Sequence, residues 1–65
     1  MIINPELKER AKTQRLQQLQ LRYLELDMDK ISLEANDGDV KEIEGTLKRM
    51  EAIQKAYEAV KAIPD

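Results

Sequence analysis

Side-chain catalysis needs an activated nucleophile, a carboxylate pair in a dry pocket, or a bound metal. This chain has no histidine and no cysteine. Its hydroxyls belong to Thr13, Ser32, Thr46, Tyr23 and Tyr57, and none of them has an imidazole or thiolate available as a base. Ser32 falls on a polar helical strip, where solvation explains it. No catalytic residue is expected, and the chain reads as no enzyme.

Acids are plentiful. Between positions 25 and 44 stand Glu25, Asp27, Asp29, Glu34, Asp37, Asp39, Glu42 and Glu44 against Lys30 and Lys41, a local balance of −6. Acid–base work would require a water-excluding pocket to separate their pKa values. A short helical hairpin has none of its own. A calcium loop fails as well. Setting Gly38 at its glycine position places Leu33 and Ala35, which have no ligating side chains, where the first acids belong. Zinc lacks its usual ligands, di-iron bundles need Glu-x-x-His, and Gly38 and Gly45 are too isolated to cradle a phosphate. Neither metal nor cofactor is expected.

One cluster could bind a polyanion. Residues 1–22 carry Lys8, Arg10, Lys12, Arg15 and Arg22 against Glu6 and Glu9, a local balance of +3. Lys8, Lys12, Arg15 and Arg22 fall within about 80° on a helical wheel and could follow phosphates. No aromatic residue interleaves them for base stacking. The net charge of −2 also counts against nucleic acid or an anionic membrane as the partner. A solvated helix end whose aliphatic stems cover apolar surface is the plainer explanation.

The elements that would position these groups follow from composition. Of 65 residues, 42% are apolar and 37% charged, with two Gly, two Pro and two aromatics. That mixture reads as all-α and bundle-like. No apolar run approaches a membrane span, and the charged N-terminal stretch is no signal peptide. Freedom from cysteine fits a cytoplasmic protein. Chains this short seldom draw more than about 3–5 kcal/mol from their own core. Without disulfides or metal, association is the remaining remedy.

Punctuation divides the chain once. Asn4-Pro5-Glu6 is a helix start: a capping side chain, a proline at the first helical position, an acid in the first turn. Asn36-Asp37-Gly38 is a turn, with Gly38 suited to the left-handed conformation that ends helices. Asp39 and Glu42 have capping-box spacing. Pro64 closes the second helix. The spacing predicts helices over about 5–35 and 40–63, joined by a turn at 36–39, as one domain. Gly45 interrupts the second helix at a cost of about 1 kcal/mol relative to Ala.

Apolar periodicity then raises a problem. In the second helix, Val40, Ile43, Leu47, Met50, Ile53, Tyr57, Val60 and Ile63 form one stripe. The first helix has two seams. Leu16, Leu19, Tyr23, Leu26 and Leu33 form one; Leu21, Leu24, Met28, Ile31 and Ala35 form the other. Their centres lie about 150° apart, so a single partner helix cannot cover both. Folding at Asp37–Gly38 with Met28 near Leu47 assigns the 21/24/28/31/35 seam to the second helix. The 16/19/23/26/33 seam is then the expected oligomer interface, the exchanged assignment being the alternative. The prediction is an antiparallel two-helix hairpin that homodimerises into a four-helix bundle as an interaction or scaffolding module, its partner a second copy or another helical protein. A small RNA- or DNA-binding regulator using the basic stripe is the alternative, and an obligate subunit of a hetero-complex the third.

Overall fold

The computed structural model describes residues 2–64. Two helices, α1 (Pro5–Ala35) and α2 (Val40–Lys61), pack against each other as a hairpin, with no strand among the described residues. The shape is a rod of 52 × 16 × 14 Å. Its radius of gyration is 15.7 Å, against about 11 Å for a compact domain of this length.

Each helix end has an identifiable cause. At the start of α1, Asn4 is extended (φ −66°, ψ 122°) and its Oδ1 accepts from the Glu6 N–H at 2.9 Å. Pro5 follows, where its missing N–H costs nothing. At the other end, Asn36 donates from its backbone and from its side chain (2.9 Å) to the Ser32 carbonyl. The Gly38 N–H then reaches back to the Leu33 carbonyl at 2.7 Å. This is the six-to-one closure of a Schellman turn. The left-handed position is taken by Asp37 (φ 53°) and not by Gly38.

Gly38 is required for a different reason. A β-carbon there would stand 2.8 Å from the Leu33 carbonyl oxygen and 3.1 Å from the Leu33 Cβ and Cδ2. Gly45, inside α2, has nothing within 4 Å of the equivalent position. The two glycines should therefore respond oppositely to alanine. Gly38→Ala is expected to cost about 1–3 kcal/mol by overpacking the turn. Gly45→Ala is expected to gain about 1 kcal/mol of helix propensity. Thermal melts of the two single variants check both signs.

At the start of α2, the Asp39 carboxylate accepts from the Lys41 N–H at 3.0 Å, one residue earlier than a capping box places that bond. The helix ends at Lys61, two residues before the predicted stop. The Ile63 N–H turns back to the Val60 carbonyl at 3.1 Å, and Pro64 biases Ile63 away from helical geometry.

The seam that meets α2 is the other of the two predicted. Leu19 is buried, and Leu16, Tyr23, Leu26 and Leu33 are half-buried, while Leu21, Leu24, Met28, Ile31 and Ala35 are exposed. Across from them stand Ile43, Thr46, Met50, Ile53, Tyr57 and Val60, all buried or half-buried. The residues named above as the expected oligomer interface are thus taken up by the hairpin itself. Length explains the exchange. The 16–33 seam and the 43–60 stripe each span about 26 Å, so they match end to end. The 21–35 seam would have set Tyr57 and Val60 opposite Gln17 and Gln14.

Thr46 stands at the centre of this contact, 8% exposed. Its hydroxyl donates to the Glu42 carbonyl at 3.0 Å, so this buried hydroxyl is not orphaned. Leu47, counted in the predicted stripe, is exposed instead.

Candidate interaction surface

The groups capable of chemistry do not converge. Tyr57 accepts a hydrogen bond from the Gln20 side-chain amide at 3.1 Å, and the Thr46 hydroxyl is spent on its own helix. Ser32 and Thr13 are exposed. Lys30 pairs with Asp27 at 3.7 Å, one turn away on α1. Among the described residues, no three acidic side chains cluster closely enough to hold a metal ion. None of the described helices is long and apolar enough to cross a membrane.

The basic stripe is divided by the fold. Lys8, Arg15 and Arg22 are exposed, but Lys12 is half-buried and donates to the Ile63 carbonyl at 2.6 Å. Lys12 falls one turn before Leu16, in line with the inner seam, and its ammonium reaches a carbonyl two residues past the end of α2. Such a cation favours a helix C-terminus. Residues 5–11 run on past this point for about 10 Å.

What the hairpin leaves open is apolar. Leu21, Leu24, Met28 and Ile31 expose 58%, 55%, 59% and 55% of their surface along one face of α1. On α2, Val40 and Leu47 are exposed too. They lie on the same flank. Leu24 and Gln54 line one side of an open groove of about 420 Å³ between the helices, whose floor is Leu19, Tyr23, Ile53 and Tyr57. Ile31 lies seven residues after Leu24, and Leu47 seven before Gln54. In an antiparallel pair those steps carry both residues two turns toward the hairpin bend on the same flank.

Surface area measures the deficit. The chain exposes 5589 Å², whereas a compact monomer of this mass exposes about 4,200 Å². The excess, about 1,400 Å², is more than the roughly 800 Å² that each partner buries in a standard interface. Among the described residues, only Leu19 and Met50 are buried hydrophobics. The outer seam of α1 stays exposed in the hairpin.

No protein-family profile, curated protein or solved structure matches this chain.

The sequence pattern exposed the existence of two seams but assigned them in the wrong order. One signal could have corrected it. On a helical wheel, Ile43, Met50, Ile53, Tyr57 and Val60 average to a direction within about 10° of Thr46, with Leu47 some 90° away. Counting steps of three and four admits either residue; summing directions selects Thr46.

Proposed function

We propose that this protein is a non-enzymatic interaction or assembly module, a helical hairpin that works as a homodimer through the outer seam of α1. The observation that carries the reading is the exposed row Leu21, Leu24, Met28 and Ile31, together with a surface about 1,400 Å² larger than a monomer of this mass sustains. Covering that row with the same row of a second copy gives four helices around a shared apolar centre, the geometry of a bundle with crossings near 20°. Contiguous apolar patches of this kind mark interaction sites on small proteins.

Sedimentation equilibrium across a concentration series, with circular dichroism on the same samples, tests it. A helical dimer is the expected result. A folded monomer would overturn the reading. A largely unfolded monomer would replace the second copy with a different helical partner, the behaviour of an obligate subunit.

A second reading is favoured by one observation. Arg15 and Arg22 are exposed on the side of α1 away from the outer seam, so dimerisation leaves them open to a phosphate backbone. Binding to structured RNA that falls steeply with salt, and that weakens in Arg15→Glu, would support a nucleic-acid regulator. Absence of binding at low salt removes it.

A further inference from the structure

One side of the open groove is bordered by acids. The flank of the hairpin that carries the groove has Leu24 and Ile31 along its α1 side and Leu47 and Gln54 along its α2 side, all exposed. About 60° further round α2 from Leu47 and Gln54 stand Glu44, Glu51 and Glu58, also exposed and spaced at seven residues. The Gln20–Tyr57 hydrogen bond fixes the register. Each step up α1 is a step down α2, so Glu58, Glu51 and Glu44 stand level with Leu19, Leu26 and Leu33. The rank of glutamates therefore borders this flank over about 21 Å.

The α1 side adds to the charge. Asp27 and Glu34 follow Gln20, which lines the groove, at steps of seven, so they lie on the same side of α1. Alongside the groove that makes five acids against Lys30 and Lys61. Lys30 reaches Asp27 from the inner seam, at 3.7 Å, and Lys61 stands at the last residue of α2, beyond the apolar stretch. Lys8, Arg15 and Arg22 fall on the opposite flank of α1, more than 100° from Gln20 on the helical wheel.

Charge decides what can lie here. A helix that docks in an apolar groove inserts its apolar stripe and sets the residues edging that stripe against the groove's rim. Facing Glu44, Glu51 and Glu58, an acidic edge brings like charges together and a basic edge pairs them. A second copy of this chain has no such basic edge on its exposed row. From Leu21 to Ile31 that row is bordered by Glu25 on one side and by Asp27 and Glu34 on the other.

We propose that this groove is the docking site for an amphipathic helix of another protein, one whose apolar stripe is edged with lysine or arginine at heptad spacing. Three heptads span about 31 Å and reach all three glutamates. The proposal goes beyond the homodimer reading and does not rest on it. Both contacts use Leu24 and Ile31, so the incoming helix and the second copy compete, and binding of the basic helix takes the dimer apart.

Three fluorescent peptides of three heptads test this by anisotropy against the full chain. One has a leucine stripe edged with lysine, one the same stripe edged with glutamate, and one the composition of the first in scrambled order. The lysine-edged peptide should bind, and more weakly as salt is raised. The other two should bind about tenfold more weakly or worse, the effect of losing several rim pairs together. Glu44→Gln, Glu51→Gln and Glu58→Gln together, in a chain that keeps the parent's helical signal, should weaken the lysine-edged peptide about tenfold. Failure of that peptide to bind the parent overturns the proposal. Equal binding of either control, or binding untouched by the triple replacement, overturns it as well. Sedimentation of the complex reads the competition: one hairpin with one peptide supports it, and a dimer that holds the peptide with both copies in place overturns it. A parent that is monomeric before any peptide is added removes the homodimer, while the anisotropy still decides the groove.

Discussion

If the proposed homodimer forms through the outer seam, replacing Leu24 and Met28 together by glutamate is expected to convert it into a monomer at concentrations where the parent is dimeric. Within a single hairpin the two side chains are more than half exposed, at 55% and 59%. For a protein that works alone, such surface changes shift stability by about 0.5 kcal/mol or less. Within a seam the arithmetic differs. Covering the remaining apolar surface contributes about 1 kcal/mol per side chain. Two residues on each of two chains then represent about 4 kcal/mol, which is roughly a thousandfold in dissociation constant. Burying unpaired carboxylates adds to the loss. Sedimentation and helical signal, measured beside Gln18→Glu on the polar strip as a control, check the outcome. If the double variant keeps the mass and melting behaviour of the parent, the outer seam is not an interface.

Leu19→Ala is expected to unfold most of the protein at room temperature. Leu19 is 6% exposed and, with Met50, is one of only two buried hydrophobic residues among those described. Truncating a buried leucine costs about 2–5 kcal/mol, the spread reflecting how far the cavity collapses. A core of this size supplies about 3–5 kcal/mol in total, so one substitution removes most of the margin. The helical signal should fall at low concentration and recover in part as association is driven by mass action. Leu19→Met, which conserves volume, should cost about 1.5 kcal/mol or less and keep the fold. A Leu19→Ala chain that melts within a few degrees of the parent would show that the inner seam is not where the stability resides.

The two variants separate the seams because they fail differently. Loss at the inner seam reaches the hairpin first and the proposed dimer as a consequence. Loss at the outer seam reaches the proposed dimer first, and the hairpin only so far as it needs that partner. Comparing concentration dependence in the two cases therefore reads out how much of the fold each chain holds by itself.

Much of this architecture was legible from residue types and their spacing. Asn4-Pro5 announces a helix because it combines a side-chain acceptor with a ring that has no N–H to satisfy. Asn36-Asp37-Gly38 announces a turn because short polar side chains and glycine relieve a backbone that must reverse. The chain has no histidine and no cysteine, so imidazole and thiolate chemistry and the usual zinc ligands are lacking before any geometry is known, since those chemistries depend on particular atoms. The two seams on α1, and the shortage of surface to cover both, are likewise properties of a 3.6-residue period applied to the sequence.

Which seam turns inward could be settled only by three-dimensional packing. Both have leucines at steps of three and four, so local propensity treats them alike. The choice depends on how much of α2 each can cover, and the turn sets that: its six-to-one bond from Gly38 to Leu33 presses the bend against the inner seam and aligns residues 16–33 with 43–60. The same packing places Thr46 at the centre of the contact, where its hydroxyl is tolerable because the Glu42 carbonyl accepts it. It also gives the left-handed position to Asp37, leaving Gly38 the role of making room for Leu33. The sequence alone determined that there would be two helices with an apolar face to spare; the tertiary structure decided which face, because burial is a property of matched lengths and directions and not of either helix by itself.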